Sequence, residues 1–411
     1  MRILYIHQFF AMRDSSHPTR SYEFARRMVA QGHEVTMVTG GSRLPAEHRE
    51  KLFSRFEVDG IDVRSVRGDY SNYMSYPRRI IAFALFIFGG TWLSVRAPRP
   101  DVVFATSTPL TVAIPGYVAS RLRRRPYVFE VRDPWPDAAF QMGALSPTSV
   151  LGRLSKWLER FTYRKADAVI GLSPGMVDFI LAEDTDPAKV FMVPNCSDLD
   201  LFHPGPKDDA LVARLGLQDK FVVGYTGAVG PANAVHVIAE AAALLKAAGR
   251  EEIAIVVAGD GKRAPQIRDM KEDGGLDNLH LLGSVPKHDM PALLRSCDVL
   301  LAHLAKVPVL YTGSPNKLFD ALASGRPIIV NSPGWTKPLV VENDAGLFVE
   351  PEDARALADA IVMLADDPVS VERMGRNARK VAEEQFSRDE QADRLIAVLE
   401  DVVAAKASRR A

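Results

Sequence analysis

Residues 314–325 read Ser-Pro-Asn-Lys-Leu-Phe-Asp-Ala-Leu-Ala-Ser-Gly, a short helix pattern with a stop signal at each end. Ser314 suits an N-cap, and Pro315 suits the first helical position, where a missing N–H costs nothing. Gly325 can take the left-handed conformation that ends a helix. Such a helix start presents unpaired backbone N–H groups and the positive end of the helix dipole, which together attract phosphate. Lys317 adds a full positive charge, and Asp320, one turn on, can accept hydrogen bonds from a sugar diol. The combination suits a nucleotide diphosphate sugar better than a free anion. The same residues also describe a capped surface helix, so the elements around them must decide.

The chain has 411 residues, more than one hydrophobic core usually serves, and two domains are expected. Lys plus Arg and Asp plus Glu balance at 51 each, which argues against a nucleic-acid binder held by backbone charge. The two cysteines, Cys196 and Cys297, form neither a CxxC nor a Cys/His cluster. A reducing compartment, the cytoplasm, is therefore expected, with no structural zinc. The strand-like Arg2–Ile6 opens the chain without a signal-peptide layout.

Short Val/Ile-rich runs alternate with helical patterns along the whole chain. Expected strands in the first half are Ile3–Ile6, Glu34–Thr39, Asp101–Ala105, Tyr127–Val131 and Ala168–Leu172. In the second half they are Phe221–Thr226, Ala254–Ala258, Leu279–Leu282, Val299–Ala302, Pro327–Asn331 and Gly346–Val349. This order predicts an α/β fold of two doubly wound, parallel-sheet, Rossmann-like domains facing across a cleft. The expected divisions are 1–203 for acceptor binding, 204–385 for the nucleotide sugar, and 386–411 as a helix crossing back to the first domain. The break is placed at Pro204-Gly205-Pro206. Ligands in such sheets sit beyond the carboxyl ends of the strands. Neither the loop after Ile6 nor Gly227-Ala228-Val229-Gly230 after Thr226 carries the Gly-x-Gly-x-x-Gly of a dinucleotide enzyme.

Read in order, several segments resemble one family. They are Thr19–Arg27 with Gly32-His33-Glu34-Val35-Thr36, Glu130–Asp137, Ala166–Val169, Val193-Pro194-Asn195, Asp198–Phe202, Gly259-Asp260-Gly261 and Ser314–Gly325. Over nearly its whole length the chain resembles the GT-B-fold glycosyltransferases of family 4, in the bacterial branch of fucosamine and colanic-acid or O-antigen transferases. The resemblance implies sugar transfer from a nucleotide donor with retention at the anomeric carbon, and with neither cofactor nor metal. It implies a donor site of Gly227, Gly259, Asp260, Gly261, Val285, Thr312, Gly313, Ser314, Asn316, Lys317 and Asp320, with Val285 at the base edge and Asp320 on the ribose. His17, Arg20, Asp133 and Trp135 fall where substrate contacts belong, and Asp133, Lys317 and Asp320 are the catalytic candidates. For each of these contacts a plainer role stays open: a loop cap for Asp133, a solvated helix position for Arg20, a cleft wall for Trp135. His7 reads as a structural, hydrogen-bonded histidine.

Three departures from the family pattern stand out. Thr312 occupies the position of the first glutamate of Glu-x7-Glu. Residues 227–234 lack the arginine and lysine that many relatives place against the diphosphate. His17-Pro18 replaces a glycine pair. Lys317 is then the expected source of charge at the diphosphate.

Tyr73–Arg79 leads into Ile80–Val95, an uncharged apolar run with Trp92. It is shorter than the roughly 20 residues that span a bilayer, so no crossing is expected. Flanked by Arg78, Arg79 and Arg96, and with the basic run Arg121–Arg125, it reads either as a membrane-facing amphipathic helix or as a buried one. The expected function is retaining transfer from a UDP-sugar, N-acetylhexosamines included, to a polyprenyl-diphosphate-linked or other glycan acceptor at the inner leaflet. The alternatives are a soluble transferase on a small acceptor and a catalytically silent nucleotide-sugar-binding subunit.

Overall fold

The computed structural model describes residues 1–15, 17–70 and 74–408. The chain forms two compact units. The first comprises Met1–Pro194, Thr312–Ser314 and Asp389–Ala411; the second comprises Asn195–Tyr311 and Pro315–Arg388.

The first unit runs β1 (Arg2–Ile6), α1 (Arg20–Ala30), β2 (Glu34–Gly40), β3 (Phe53–Val58), β4 (Ile61–Val66), α2 (Tyr76–Arg96) and β5 (Val102–Thr106). It continues through α3 (Ala113–Arg123), β6 (Tyr127–Val131), α4 (Asp137–Gln141), α5 (Val150–Lys165), β7 (Ala168–Gly171), α6 (Pro174–Leu181) and β8 (Val190–Met192). Its sheet has the order β3-β4-β2-β1-β5-β6-β7-β8. β5 and β6 are buried at every position, because helices cover both faces of a parallel sheet. The strand order reverses between β1 and β5, which opens the crevice at their carboxyl ends.

Three strands were not among the expected ones. β3 and β4 form the sheet's one antiparallel pair, and each alternates between more and less exposed residues. Asp59-Gly60, with φ of 47° and 76°, makes their two-residue turn, the signal that Asp-Gly between alternating runs carries. β8 is three residues long and nowhere fully buried, too short to register as a period.

Arg20, expected at a phosphate, is instead a core residue. It is 2% exposed and pairs with Glu130, 0% exposed, at 2.7 Å. Its guanidinium also donates to the carbonyls of Pro194 at 2.7 Å and Val193 at 2.9 Å, so its donors are spent inside the unit. Burial pushes the Glu130 carboxyl upward, but Arg20, Arg132 and the hydroxyl of Thr106 outweigh it and hold the group below its ordinary value. The pair thereby joins the start of α1, the end of β6 and the exit of the chain at Val193–Pro194.

α2 also departs from expectation, being 21 residues long once its flanking arginines join the helix. It is long and apolar enough to cross a membrane by length and composition. Its Ala82, Phe86, Gly90 and Ser94 stripe is nevertheless buried in the unit, which identifies α2 as a layer helix. The Tyr73 start of the expected membrane-facing stretch lies outside the described residues.

The second unit runs α7 (Asp209–Leu215), β9 (Phe221–Thr226), α8 (Val235–Ala247), β10 (Ile253–Ala258), α9 (Ala264–Asp273), β11 (Leu279–Gly283), α10 (Met290–Ser296) and β12 (Val299–Ala302). α11 (Asn316–Ala323), β13 (Ile328–Val330), α12 (Thr336–Glu342), β14 (Gly346–Phe348), α13 (Ala354–Asp366) and α14 (Pro368–Gln385) complete it. Its six strands are all parallel, in the order β11-β10-β9-β12-β13-β14, with the reversal between β9 and β12.

The unit begins at Asn195 rather than at residue 204. Ser197 bridges to Ser387, and Arg388 donates to Asp198 at 3.0 Å and to the Cys196 carbonyl at 2.9 Å, so the segment before the Pro204 turn already belongs to the second unit. α15 (Arg388–Ser408) follows, and from Asp389 onward it belongs to the first unit. There Arg27 pairs with Asp389 at 2.5 Å, and Lys406 with Asp167 at 3.0 Å.

Arg20→Ala strands the Glu130 carboxylate in the core, and urea unfolding is expected to show a loss of about 3–5 kcal/mol. Arg20→Met with Glu130→Leu should recover part of that loss, since the Glu130 charge goes with its partner, although Arg132 then loses the carboxylate that favours its charged form.

Candidate functional site

At the reversal point of the second sheet, three loops are stitched together by backbone alone. Gly227 N donates to the Ala258 carbonyl at 2.9 Å, Val229 N to Asp260 O at 2.9 Å, and Gly259 N to Gly283 O at 2.7 Å. The approach is close enough that a Cβ on Gly259 would sit 1.7 Å from Gly227 O, and one on Gly261 would sit 2.6 Å from Val229 O. Both glycines also have positive φ, 158° and 156°, so the loops after β9 and β10 admit no side chain at these points. Asp260 is exposed and accepts from Gly261 N at 2.7 Å, which fixes the turn. Val285 lies just past β11, half-buried, on the loop that follows Gly283.

α11 follows β12 and aims its start at the same point. The helix begins at Asn316, with Pro315 as the cap residue and no side-chain cap bond. Ser314 is therefore not the expected N-cap: with the proline ring fixing φ, helical geometry starts one residue later than the Ser-Pro pattern suggests. Ser314, Gly313 and Thr312 belong with the first compact unit, whereas Asn316, Lys317 and Asp320 belong with the second. The motif is thus shared between the two units.

Lys317 projects back from α11 onto the β9 loop. Its ammonium donates to the Tyr225 hydroxyl at 2.8 Å and to Asn233 Oδ1 at 3.2 Å, and lies 4.0 Å from the centre of the Tyr225 ring. Tyr225 in turn donates to the Ala228 carbonyl at 2.8 Å. A Cβ on Gly227 would touch Lys317 Nζ at 3.3 Å, so the absent side chain makes room for the ammonium. All its partners are neutral, and among the described residues no carboxylate pairs with it. Burial pulls its pKa down to about 7. His303, after β12, is buried on Asn331 and kept neutral, its pKa lowered to about 4 by burial and then by the Lys317 charge.

Asp320 faces elsewhere. One carboxylate oxygen accepts from the Ser197 hydroxyl at 2.7 Å and the other from Lys287 at 2.7 Å. Lys287 stands two residues past Val285, over the Phe202 ring at 4.5 Å. A ribose would have to share these oxygens, so Asp320 acts first as the anchor of the Val285 loop rather than as the free diol acceptor expected. Lys287 was missed because a lysine two residues into a polar loop has no period or motif of its own.

In the first unit, the crevice after β1 and β5 gathers other expected residues. His7 is buried between Ser21 Oγ, 2.6 Å from Nδ1, and Arg132, 3.4 Å from Nε2. Burial, Arg132 and Arg43 hold its pKa well below the usual value, so it is neutral, with Nδ1–H turned to Ser21 and Nε2 accepting. Asp133 is exposed and accepts from the Thr108 hydroxyl, and Trp135 packs partly buried against the unit's core. His17 is exposed. Arg43, which the sequence reading overlooked, lies with its guanidinium 4.8 Å from the centre of the Phe9 ring. Burial and the nearby Arg132 lower its pKa to about 10. The Gly-Ser-Arg turn after β2 that carries it has no signature beyond one basic residue.

Among the described residues no group of His, Cys, Asp and Glu gathers to hold a metal. The arrangement offers an anion a part-buried ammonium, a helix start with no side-chain cap and glycine loops that let backbone approach.

The Glycosyl transferase 4-like domain family matches residues 18–196, and the Glycosyl transferases group 1 family matches residues 208–381. The chain is similar to an alpha-D-kanosaminyltransferase of Streptomyces kanamyceticus, 26% identical over 264 residues, which cover 62% of this chain and 67% of that one. It is also similar to UDP-Gal:alpha-D-GlcNAc-diphosphoundecaprenol alpha-1,3-galactosyltransferase of Escherichia coli, 28% identical over 257 residues, 61% of this chain and 64% of that one. Among solved structures, HepE of Anabaena in complex with UDP-glucose shares the fold with a TM-score of 0.73 at 19% identity, covering 98% of this chain and 100% of that one.

Lys317→Ala is expected to weaken UDP binding by roughly 10- to 100-fold, about 1.4–2.8 kcal/mol, measured by calorimetry. A diphosphate raises the ammonium's pKa from about 7, so binding above neutral pH should take up a proton and weaken as pH rises. Calorimetry at pH 8 in buffers of different ionisation enthalpy should show that uptake, and Lys317→Ala should abolish it.

Proposed function

This chain belongs to family 4 of the GT-B-fold glycosyltransferases, and we propose that it moves a sugar from a UDP-sugar to a polyprenyl-diphosphate-linked glycan with retention at the anomeric carbon. Sugar transfer is what the family does, and a role in bacterial glycan synthesis is supported by relatives that build such glycans; the donor, acceptor and stereochemistry are the proposal. One observation carries it: the Lys317 ammonium is desolvated among neutral partners beside an uncapped helix start. A diphosphate would supply negative charge to both Nζ and the first N–H groups of α11. UDP is favoured over other nucleotides by similar proteins, one of which is a UDP-Gal-dependent transferase and another of which holds UDP-glucose. The diphosphoundecaprenol acceptor of the former supports a lipid-linked acceptor here.

The chemistry follows from charge. As the bond between the anomeric carbon and the diphosphate oxygen breaks, negative charge grows on the phosphate and positive charge on the ring. Lys317 and the α11 N–H groups stabilise the former without a metal. The acceptor oxygen bonds to the anomeric carbon on the face the phosphate leaves, and its proton passes to the departing phosphate oxygen. Asp133, exposed beyond β6, is the group proposed to orient the sugar hydroxyls, through position rather than proton transfer. The sugar is a hexose or an N-acetylhexosamine, and the compartment is the cytoplasm, with the acceptor at the inner leaflet.

Thr312 in place of the family's first carboxylate favours a second reading, a subunit that binds nucleotide sugar without transferring it. The decisive experiment incubates the full chain with a panel of UDP-, GDP-, TDP- and ADP-sugars and a detergent-solubilised polyprenyl-diphosphate-GlcNAc acceptor. Product should form with a UDP-sugar and without added metal, with the donor's anomeric configuration kept by NMR. Donor binding without transfer or hydrolysis would favour the silent subunit. Inversion, or a strict demand for a divalent ion, would overturn the proposed mechanism.

A further inference from the structure

In the first unit α1 leads from β1 to β2, while α2, α3 and α5 cross in the opposite direction along the sheet. Parallel crossovers are right-handed, so these three helices form one layer on the face opposite α1. Their inner sides meet in one core through Phe86, Ala119 and Tyr163. Their outer sides carry ten of the thirteen large apolar side chains exposed in this unit, among the described residues.

On α2 the exposed Ile81, Leu85, Phe88 and Trp92 recur at helical spacing, with Phe88 77% exposed. On α5, Leu154 and Trp157 do the same, 55% and 53% exposed. The second unit shows three such residues, Val341, Met363 and Val369, each on a different helix. Scattered exposure is ordinary; a two-helix apolar stripe on one layer is not.

Charge identifies the occupant. Within the bounds of α2, α3 and α5 the sequence holds ten Lys and Arg against one Glu, Glu159, which is buried, although the whole chain balances 51 to 51. Lys156 and Arg160 are engaged by carboxylates of this unit and Arg123 by the carbonyls of Val95 and Ala97; Arg78 and Arg96 at the two ends of α2 and Arg121 at the end of α3 are exposed around the apolar stripe. The Arg96 guanidinium lies 3.8 Å from the Trp92 ring centre, an aromatic and cationic pair of the kind that sits at a lipid headgroup. A protein partner would need matching acidic residues around an apolar groove; an anionic leaflet offers both properties over any area.

We propose that the outer face of α2, α3 and α5 docks on an anionic lipid surface, with Phe88 and Trp92 entering the headgroup boundary. This deepens the lipid-linked acceptor in the proposed function and rests on it. The full chain should co-sediment with phosphatidylcholine vesicles containing phosphatidylglycerol, not with phosphatidylcholine alone, and should release as NaCl is raised. Phe88→Ser with Trp92→Ser, and Leu154→Ser with Trp157→Ser, should each lower partitioning about tenfold or more, given the transfer energy of two large apolar side chains. UDP affinity and Val341→Ser serve as controls that should not move.

Equal binding to neutral vesicles, no binding, or variants that bind like the native chain would overturn the proposal. So would a concentration-dependent dimer that the serine variants dissolve, since a second copy would then cover the face. Vesicles free of acceptor separate the two readings: transfer to detergent-solubilised acceptor without vesicle binding removes only the surface. Vesicle binding without transfer removes only the function.

Discussion

A lysine ammonium held without a carboxylate is the constraint on which the donor side of this protein turns. Desolvating a charge is costly, and proteins usually offset it with an opposite charge. Around Lys317 the offsets are a phenol, an amide oxygen and an aromatic face, each worth a fraction of an ion pair. Other features of the second sheet's crevice serve that placement. Gly227 leaves room for Nζ, and Gly259 and Gly261 let the neighbouring loops close behind it. Tyr225 comes from the strand at the reversal point, and α11 enters from the next strand over. Stability is given up locally so that affinity for an anion can be gained, a common bargain at functional sites.

The two units solve the same problem differently. In the first, the equivalent crevice is closed by a satisfied ion pair, Arg20 with Glu130, and by a neutral histidine. In the second, the cation has no anion. Both sit at the reversal of a parallel sheet, where two loops diverge and leave space above the strand ends. The fold therefore supplies the location twice, and the side-chain pairing differs between the two. Arg43, close enough to Arg132 for their charges to interact, keeps some positive potential over the first crevice as well.

What could be read in the sequence follows from how local each signal is. The parallel strands were legible because burial on both faces gives uninterrupted Val/Ile runs, as in β10, buried at all six positions. The β3–β4 hairpin was equally local, yet its Arg, Glu and Asp residues disguise the alternation that Asp59-Gly60 should have flagged. Arg20 could not be classified, because its role depends on Glu130 and on carbonyls at 193 and 194, contacts separated by more than a hundred residues. Asp320 was found by motif position, but its engagement by Ser197 and Lys287 is again long-range. The Lys317 reading came from the helix-start motif and was strengthened by a missing neighbour: no arginine or lysine in residues 227–234. An absence in one loop carries information when the fold says which other residue must take over.

That substitution has a mechanistic consequence. A cation on the β9 loop would move with that loop, whereas Lys317 is fixed to a helix whose far end is packed: Leu318, Phe319 and Leu322 are fully buried. Its charge and the α11 N–H groups thus form one rigid body, and a diphosphate that meets one meets the other at a set distance. Preorganised charge of this kind stabilises a leaving group without reorganisation at the moment of bond breaking, which is the advantage of a fixed site over a flexible one. The lowered pKa adds a second property. Burial makes the free lysine give up its proton more readily than an exposed one, and an anion seated beside Nζ favours the charged form, so binding of the anion and charging of the lysine are coupled.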